Sequence, residues 1–290
     1  MPLVNEKFID VKGIRTRYFE KGEGPPLVLF HGGEFGYKAS SDCADDWDLN
    51  FDGLSDWFHV YAVDKLGQGY TDNPLIDDDY TMDAVVQHGY AFLQALGLRN
   101  VNVAGHSRGG YLVTRLALEH PDLIENCIIV ASGTLAPGIG RNSVVFANPP
   151  DPVGGKECQR WVLERYSYNH GHITEDLLDS ATLITSRSSY QEAVKKMDSL
   201  RSIQFNPQLG AQKAESLTWI LEGYLKTPTL LILGQNDPTA TIGMGHALFD
   251  LVAGSAPRAE MHIINKAGHF CFREHPTAFN EIVRSFIQSG

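Results

Sequence analysis

Val101-Asn102-Val103-Ala104 runs straight into Gly105-His106-Ser107-Arg108-Gly109-Gly110, and the reading of this stretch decides the fold. The first four residues read as a short buried strand, and Tyr111-Leu112-Val113-Thr114-Arg115-Leu116-Ala117-Leu118 reads as an amphipathic helix that ends before Pro121. A G-x-S-x-G in that setting puts its serine on a sharp strand-to-helix turn, at a strained backbone angle, with glycines where a Cβ would clash. Ser107 is therefore the candidate nucleophile.

A serine hydroxyl is a poor nucleophile at neutral pH and needs a base, which in turn needs an acid to fix its tautomer. Thr229-Leu230-Leu231-Ile232-Leu233-Gly234 reads as a buried strand followed by the turn Gln235-Asn236-Asp237-Pro238, and Asp237 is the candidate acid. Met261-His262-Ile263-Ile264 reads as a later strand, and His269 in the following Ala267-Gly268-His269-Phe270 loop is the candidate base. An oxyanion needs donors, usually backbone N–H groups. They are assigned to Arg108, next to the nucleophile, and to Gly33 in His31-Gly32-Gly33-Glu34, the loop after the strand Leu27-Val28-Leu29-Phe30. His31 is read as structural, and the Arg108 side chain as pairing with an acidic neighbour behind the turn.

Working outward, apolar runs at Phe8 to Val11, Ile14 to Glu20, Leu27 to Phe30 and Val60 to Val63 alternate with helical patterns, which predicts a mostly parallel sheet flanked by helices. Met82, Val85, Val86, Phe92, Leu93 and Leu96 share one helical face, with Thr81 as N-cap. Gly67-Gln68-Gly69 reads as a turn, since it lacks the full nucleotide-binding pattern. Strand patterns stop between residues 133 and 226, where Gly/Pro-rich entries lead into helical segments; this segment is read as an inserted cap, with residues 1–132 and 227–290 forming the core. A cap excludes water and supplies specificity contacts, so Trp161, Tyr166, Tyr168, Tyr190, Trp219 and Tyr224 are candidate pocket walls. His170-Gly171-His172 has no third ligand nearby and reads as a solvent-facing loop.

With these residues in hand, the chain resembles the α/β-hydrolase superfamily over nearly its whole length, through HGG, DKLGQG, GHSRGG, GQNDP and GH at the expected intervals and in the order serine, acid, histidine. The resemblance implies an α/β-hydrolase fold with a helical cap. Within it, His31-Gly32-Gly33 and Ile173-Thr174-Glu175-Asp176-Leu177-Leu178-Asp179 are similar to meta-cleavage product hydrolases, which split a C–C bond in vinylogous diketones. That likeness implies a small carbonyl substrate, with Gly32, His106, Phe270, Arg187, Trp161 and Tyr190 as candidate binding residues. Three positions depart from the branch. His106 stands where asparagine is usual and is common in esterases; Phe270 replaces a tryptophan; and a carboxylate-binding arginine would fall at Ala181, so the nearest one, Arg187, becomes the candidate anchor. Carboxylester or lactone hydrolysis is the alternative, followed by a cofactor-free dioxygenase and a non-catalytic receptor. Dehalogenases and epoxide hydrolases share the surrounding motif but need an aspartate nucleophile, whereas Ser107 suits attack at a carbonyl.

Composition agrees with a packed globular chain of 290 residues, 43% hydrophobic and 20% charged, which excludes disorder and fibrous classes. A formal charge of −11 argues against nucleic acid as a partner. Its acidic clusters, Asp42 to Asp56 and Asp77 to Asp83, read as a solvated helix face and a turn rather than a metal loop, so neither metal nor cofactor is expected. Four cysteines without a CxxC pair, and no apolar signal segment, imply a reducing cytoplasm. No apolar stretch reaches the roughly 18 residues a membrane span requires. A homo-oligomer stays open.

Overall fold

A computed structural model describes residues 3–289. Eight strands, β1 (Lys7–Val11), β2 (Ile14–Lys21), β3 (Pro26–Phe30), β4 (His59–Val63), β5 (Val101–His106), β6 (Ile124–Val130), β7 (Thr229–Gly234) and β8 (Ala259–Ile264), form one sheet in the order β1-β2-β4-β3-β5-β6-β7-β8. β2 is antiparallel to both β1 and β4, and every other pair is parallel. β5 and β7 are buried at all six positions, as expected of central parallel strands covered on both faces.

Strand residues alternate between two core layers. Val28 and Phe30 join a cluster with Val85, Phe92, Leu112 and Leu116, from α2 (Met82–Ala95) and α3 (Arg108–Glu119). Leu27 and Leu29 join the other with Phe51 and Leu54 of α1 (Asp48–Ser55) and Phe279, Val283 and Phe286 of the last helix. Thr81 caps α2 as its sequence predicts, its Oγ1 accepting from the Ala84 N–H at 3.1 Å.

Between β6 and β7 the chain forms α4 (Asn142–Val145), α5 (Lys156–Tyr166), α6 (Glu175–Ser186), α7 (Ser188–Leu200) and α8 (Asn206–Leu221), with a π-helical turn, Arg201–Phe205, joining the last two. α9 (Ile242–Ala253) precedes β8, and α10 (Cys271–Glu274) and α11 (Pro276–Gln288) close the chain.

Two expectations are corrected. The first acidic cluster is a solvated face only in part, because Asp52 and Asp56 are exposed but Asp45 and Asp46 are buried. Arg17 on β2 reaches Asp64 at 2.7 Å and Asp45 at 3.4 Å, while Arg273 on α10 donates to Asp48 at 2.7 Å and to the Asp46 carbonyl. Buried carboxylates need such partners, and these come from distant strands and helices. Likewise His172 is no solvent-facing residue: it is buried, its Nε2 lies 2.8 Å from Ser167 Oγ, and burial beside Arg273 brings its ring down to about 3.

Candidate active site

The carboxyl ends of β3, β5, β7 and β8 lie along one edge of the sheet, where parallel α/β sheets bind ligands. Gly33, Ser107, Asp237 and His269 each follow one of them.

Ser107 follows β5 at φ 53°, ψ −114°, a region that disfavours side chains. The turn is pinned by the Ser107 N–H donating to the Val130 carbonyl (2.8 Å) and by Ser132 Oγ donating to the Ser107 carbonyl (2.6 Å). A Cβ on Gly105 would collide with the Gly109 carbonyl, and one on Gly109 with the Phe30 carbonyl, so the motif's glycines let elbow, helix and β3 touch. Helix α3 starts at Arg108, so the Arg108 N–H is among the helix donors that have no acceptor within it.

Asp237, 6% exposed, accepts from His269 Nδ1 at 2.6 Å through Oδ2. Its Oδ1 accepts from the N–H groups of Thr239 (2.7 Å) and Ala240 (2.9 Å) and from Thr239 Oγ1 (3.0 Å). Burial works against the Asp237 charge, but His269 and those N–H groups outweigh it and hold the carboxyl below its usual range. With Nδ1 turned to a carboxylate, the ring keeps its proton there and Nε2 is the basic nitrogen. The Tyr166 ring stacks on His269 (centroids 4.5 Å apart, 19° between planes), and the His269 N–H donates to the Tyr166 carbonyl at 2.7 Å. A Cβ on Gly268 would strike that carbonyl, which explains the glycine of the GH pair.

Gly33 adopts φ +71°, and a Cβ there would meet the Asp42 carboxylate. Lys65, after β4, donates from Nζ to the Gly33 carbonyl (2.9 Å) and from its N–H to His31 Nε2 (3.0 Å), so His31 supports the loop as expected. Glu34 is the acidic partner of Arg108, and Arg201 from the helical insertion pairs with the same carboxylate.

The remaining candidates fall into two groups. Phe270 is 3% exposed and packs its ring 5.0 Å from that of His106; His106 is itself buried, with Nε2 donating to the His269 carbonyl at 3.1 Å. A Cβ on Gly32 would press on the His106 ring. Tyr190 is buried, its hydroxyl 2.6 Å and 2.8 Å from the carbonyls of Tyr37 and Ser40, and thereby clamps the loop that carries Asp42. Trp161 packs beside Phe146 in a cluster that includes Tyr37 and Tyr166. Arg187 has its guanidinium over the Tyr70 ring at 4.2 Å. Tyr168 and Tyr224 are more than half exposed, and Trp219 packs under Arg115 on α3. Asp42, Lys65 and Glu34 were not singled out by sequence; only the acidic cluster and the DK of DKLGQG pointed near them.

A family model described as alpha/beta hydrolase fold matches residues 25–276. The 2-hydroxymuconate semialdehyde hydrolase of Pseudomonas sp. (strain CF600) is 26% identical over 277 residues, 95% of this chain and 91% of that one. Among solved structures, a meta-cleavage product hydrolase from Pseudomonas fluorescens IP01 superposes with a TM-score of 0.77 at 23% identity, covering 98% of this chain and 97% of that one. The enol-lactonase from Burkholderia xenovorans LB400 superposes with a TM-score of 0.71 at 21% identity, covering 97% and 100%. At those identities the two structural likenesses establish the fold.

Proposed function

The chain belongs to the α/β-hydrolase fold family, and from that premise we propose that Ser107, His269 and Asp237 hydrolyse a small carbonyl substrate as nucleophile, base and orienting acid. The observation that carries this reading is the 2.6 Å Asp237–His269 hydrogen bond at the same sheet edge as a serine held at positive φ. Ser107 Oγ adds to the carbonyl carbon as its proton passes to His269 Nε2. The N–H groups of Gly33 and Arg108 receive the oxyanion. Collapse breaks the bond to the leaving group, which takes the proton from His269, and water releases the acyl group by the same steps in reverse.

The preferred bond is the C–C bond of a 2-hydroxy-6-oxo-dienoate or related diketone, in keeping with the curated relative's hydrolysis of a semialdehyde. There the leaving carbon must be protonated, so the dienol ketonises before attack and His269 also serves a carbon atom. Ester or lactone hydrolysis is the second reading, favoured by Arg187 being stacked on Tyr70 rather than offered to a carboxylate. Residues 133–226 act as the cap, fastened to the site through Tyr166. A cytoplasmic setting fits four buried free thiols, and no described helix is long and apolar enough to cross a membrane.

Purified protein and its Ser107→Ala variant, assayed on p-nitrophenyl acetate and on a 2-hydroxy-6-oxo-hexadienoate, test the reading. Serine-dependent loss of dienolate absorbance with weak ester turnover is expected. Strong ester turnover with an untouched dienoate makes the protein an esterase or lactonase, and turnover that survives the substitution removes Ser107 from the chemistry.

A further inference from the structure

Polar side chains that the hydrolytic roles leave unused meet around Gly32. A Cβ on this glycine would lie 2.9 Å from His106 Nδ1 and 3.3 Å from Asp42 Oδ1. The tautomer of His106 follows from its neighbour: Nε2 faces the His269 carbonyl, which can only accept, so Nε2 holds the proton and Nδ1 presents a lone pair. That lone pair is buried, on a side chain 1% exposed, and meets no donor among the described residues.

Asp42 approaches Gly33 from the same side. Asp46, behind it, also has a buried oxygen, Oδ2, with no partner among the described residues. Lys65 is 2% exposed and spends one of its three N–H donors on the Gly33 carbonyl. Burial pushes the Asp42 carboxyl up and brings the Lys65 ammonium down to about 7, each opposed by the other's charge, so the pair tends to neutrality. The neighbouring cations Arg108 and Arg201 both pair with the Glu34 carboxylate.

Acceptors on His106 and Asp42 and a donor on Lys65, with little net charge, are complementary to a group that both donates and accepts. We propose that Gly32, Asp42, Lys65 and His106 form a subsite for an alcoholic hydroxyl group on the acyl portion of the substrate, and that this subsite rejects a carboxylate. A hydroxyl gives its hydrogen to Asp42 or His106 Nδ1 and accepts from Lys65. A carboxylate offers no hydrogen to His106 Nδ1 and brings an uncompensated charge into a buried site of little net charge. The subsite adjoins Gly33, so the inference rests on the carbonyl-hydrolase reading; an ester, lactone or diketone whose acyl portion carries a hydroxyl satisfies it, whereas the dienol of a meta-cleavage product leaves with the other fragment.

The test is a series of p-nitrophenyl esters with acyl chains of graded length ending in hydroxyl, methyl or carboxylate, compared by kcat/KM in the parent and in Asp42→Ala. The best hydroxyacyl ester is expected to exceed its matched alkanoate by about tenfold or more, with the half-ester of the diacid poorest, and Asp42→Ala to erase that preference. In parallel, calorimetry with Ser107→Ala protein and the corresponding hydroxy, unsubstituted and carboxy methyl ketones is expected to give the same order of affinity. A half-ester that is the best substrate, or a hydroxyl preference that survives Asp42→Ala, overturns the proposal. Turnover that persists in Ser107→Ala removes the nucleophile assignment, and the binding series then decides the subsite on its own.

Discussion

Ser107 holds a backbone conformation that costs a non-glycine residue of order 1–3 kcal/mol, and such strain persists only where the surroundings impose it. Here the Val130 carbonyl, Ser132 Oγ and two contacts that exclude any Cβ impose it. Asp237 is fixed as firmly, and Asp237→Asn keeps the packing while offering His269 the wrong tautomer. The expected result is a fall in kcat of roughly 10³–10⁴ with the melting temperature nearly unchanged, read by steady-state kinetics beside calorimetry. A kcat within tenfold of the parent would take Asp237 out of the site. The three candidates stood out in the sequence because each is bound to a local signature, a Gly-flanked elbow or a turn directly after an apolar run. Asp42, Lys65 and Glu34 did not, because their positions depend on the path of the 34–47 loop and on cations from α3 and the π-helical turn.

At the scale of elements, the junction between the helical insertion and the core rests on Gly268, where a Cβ would meet backbone atoms of Tyr166, Ser167 and Tyr168. Backbone cannot swing aside as a side-chain tip can, so Gly268→Ala must displace α5 or the His269 loop. A loss of at least about tenfold in kcat/KM is expected, exceeding that of Tyr166→Phe, which keeps the stacked ring; equal effects of the two would locate the contact elsewhere. Helix α11 packs away from the site: Phe279 is fully buried against Trp47 and Phe272, and Phe279→Ala should cost about 3–5 kcal/mol in denaturant unfolding without a specific effect on KM. Most strands were readable as short apolar runs, as β3, β5 and β7 show, and α2 from its cap and apolar face. Helix α3 starts three residues earlier than its periodicity suggests, because the elbow, rather than the apolar stripe, sets its first turn.

Across the whole molecule, one sheet gathers residues from positions 33 to 269 along its carboxyl edge, and the cost is a core containing several buried titratable groups. His88 is a clean case, 8% exposed with Nε2 2.9 Å from Thr16 Oγ1; burial alone brings it down to about 4 from an unfolded value of 6.5. A folded pKa below the unfolded one means that the unfolded chain takes up the proton first. The stability contribution is complete above 6.5 and declines as pH falls towards 4, by about 2 kcal/mol at pH 5. His88→Gln should therefore lose less stability than the parent between pH 7.5 and 5; parallel loss in both proteins would contradict a neutral buried His88. The most direct test of the account as a whole is intact-mass and peptide mass spectrometry after treatment with a fluorophosphonate. The account predicts one adduct per chain, on Ser107, formed in step with loss of esterase activity and absent from Ser107→Ala; an unmodified Ser107 in active protein, or an adduct on another residue that accompanies inactivation, would contradict it.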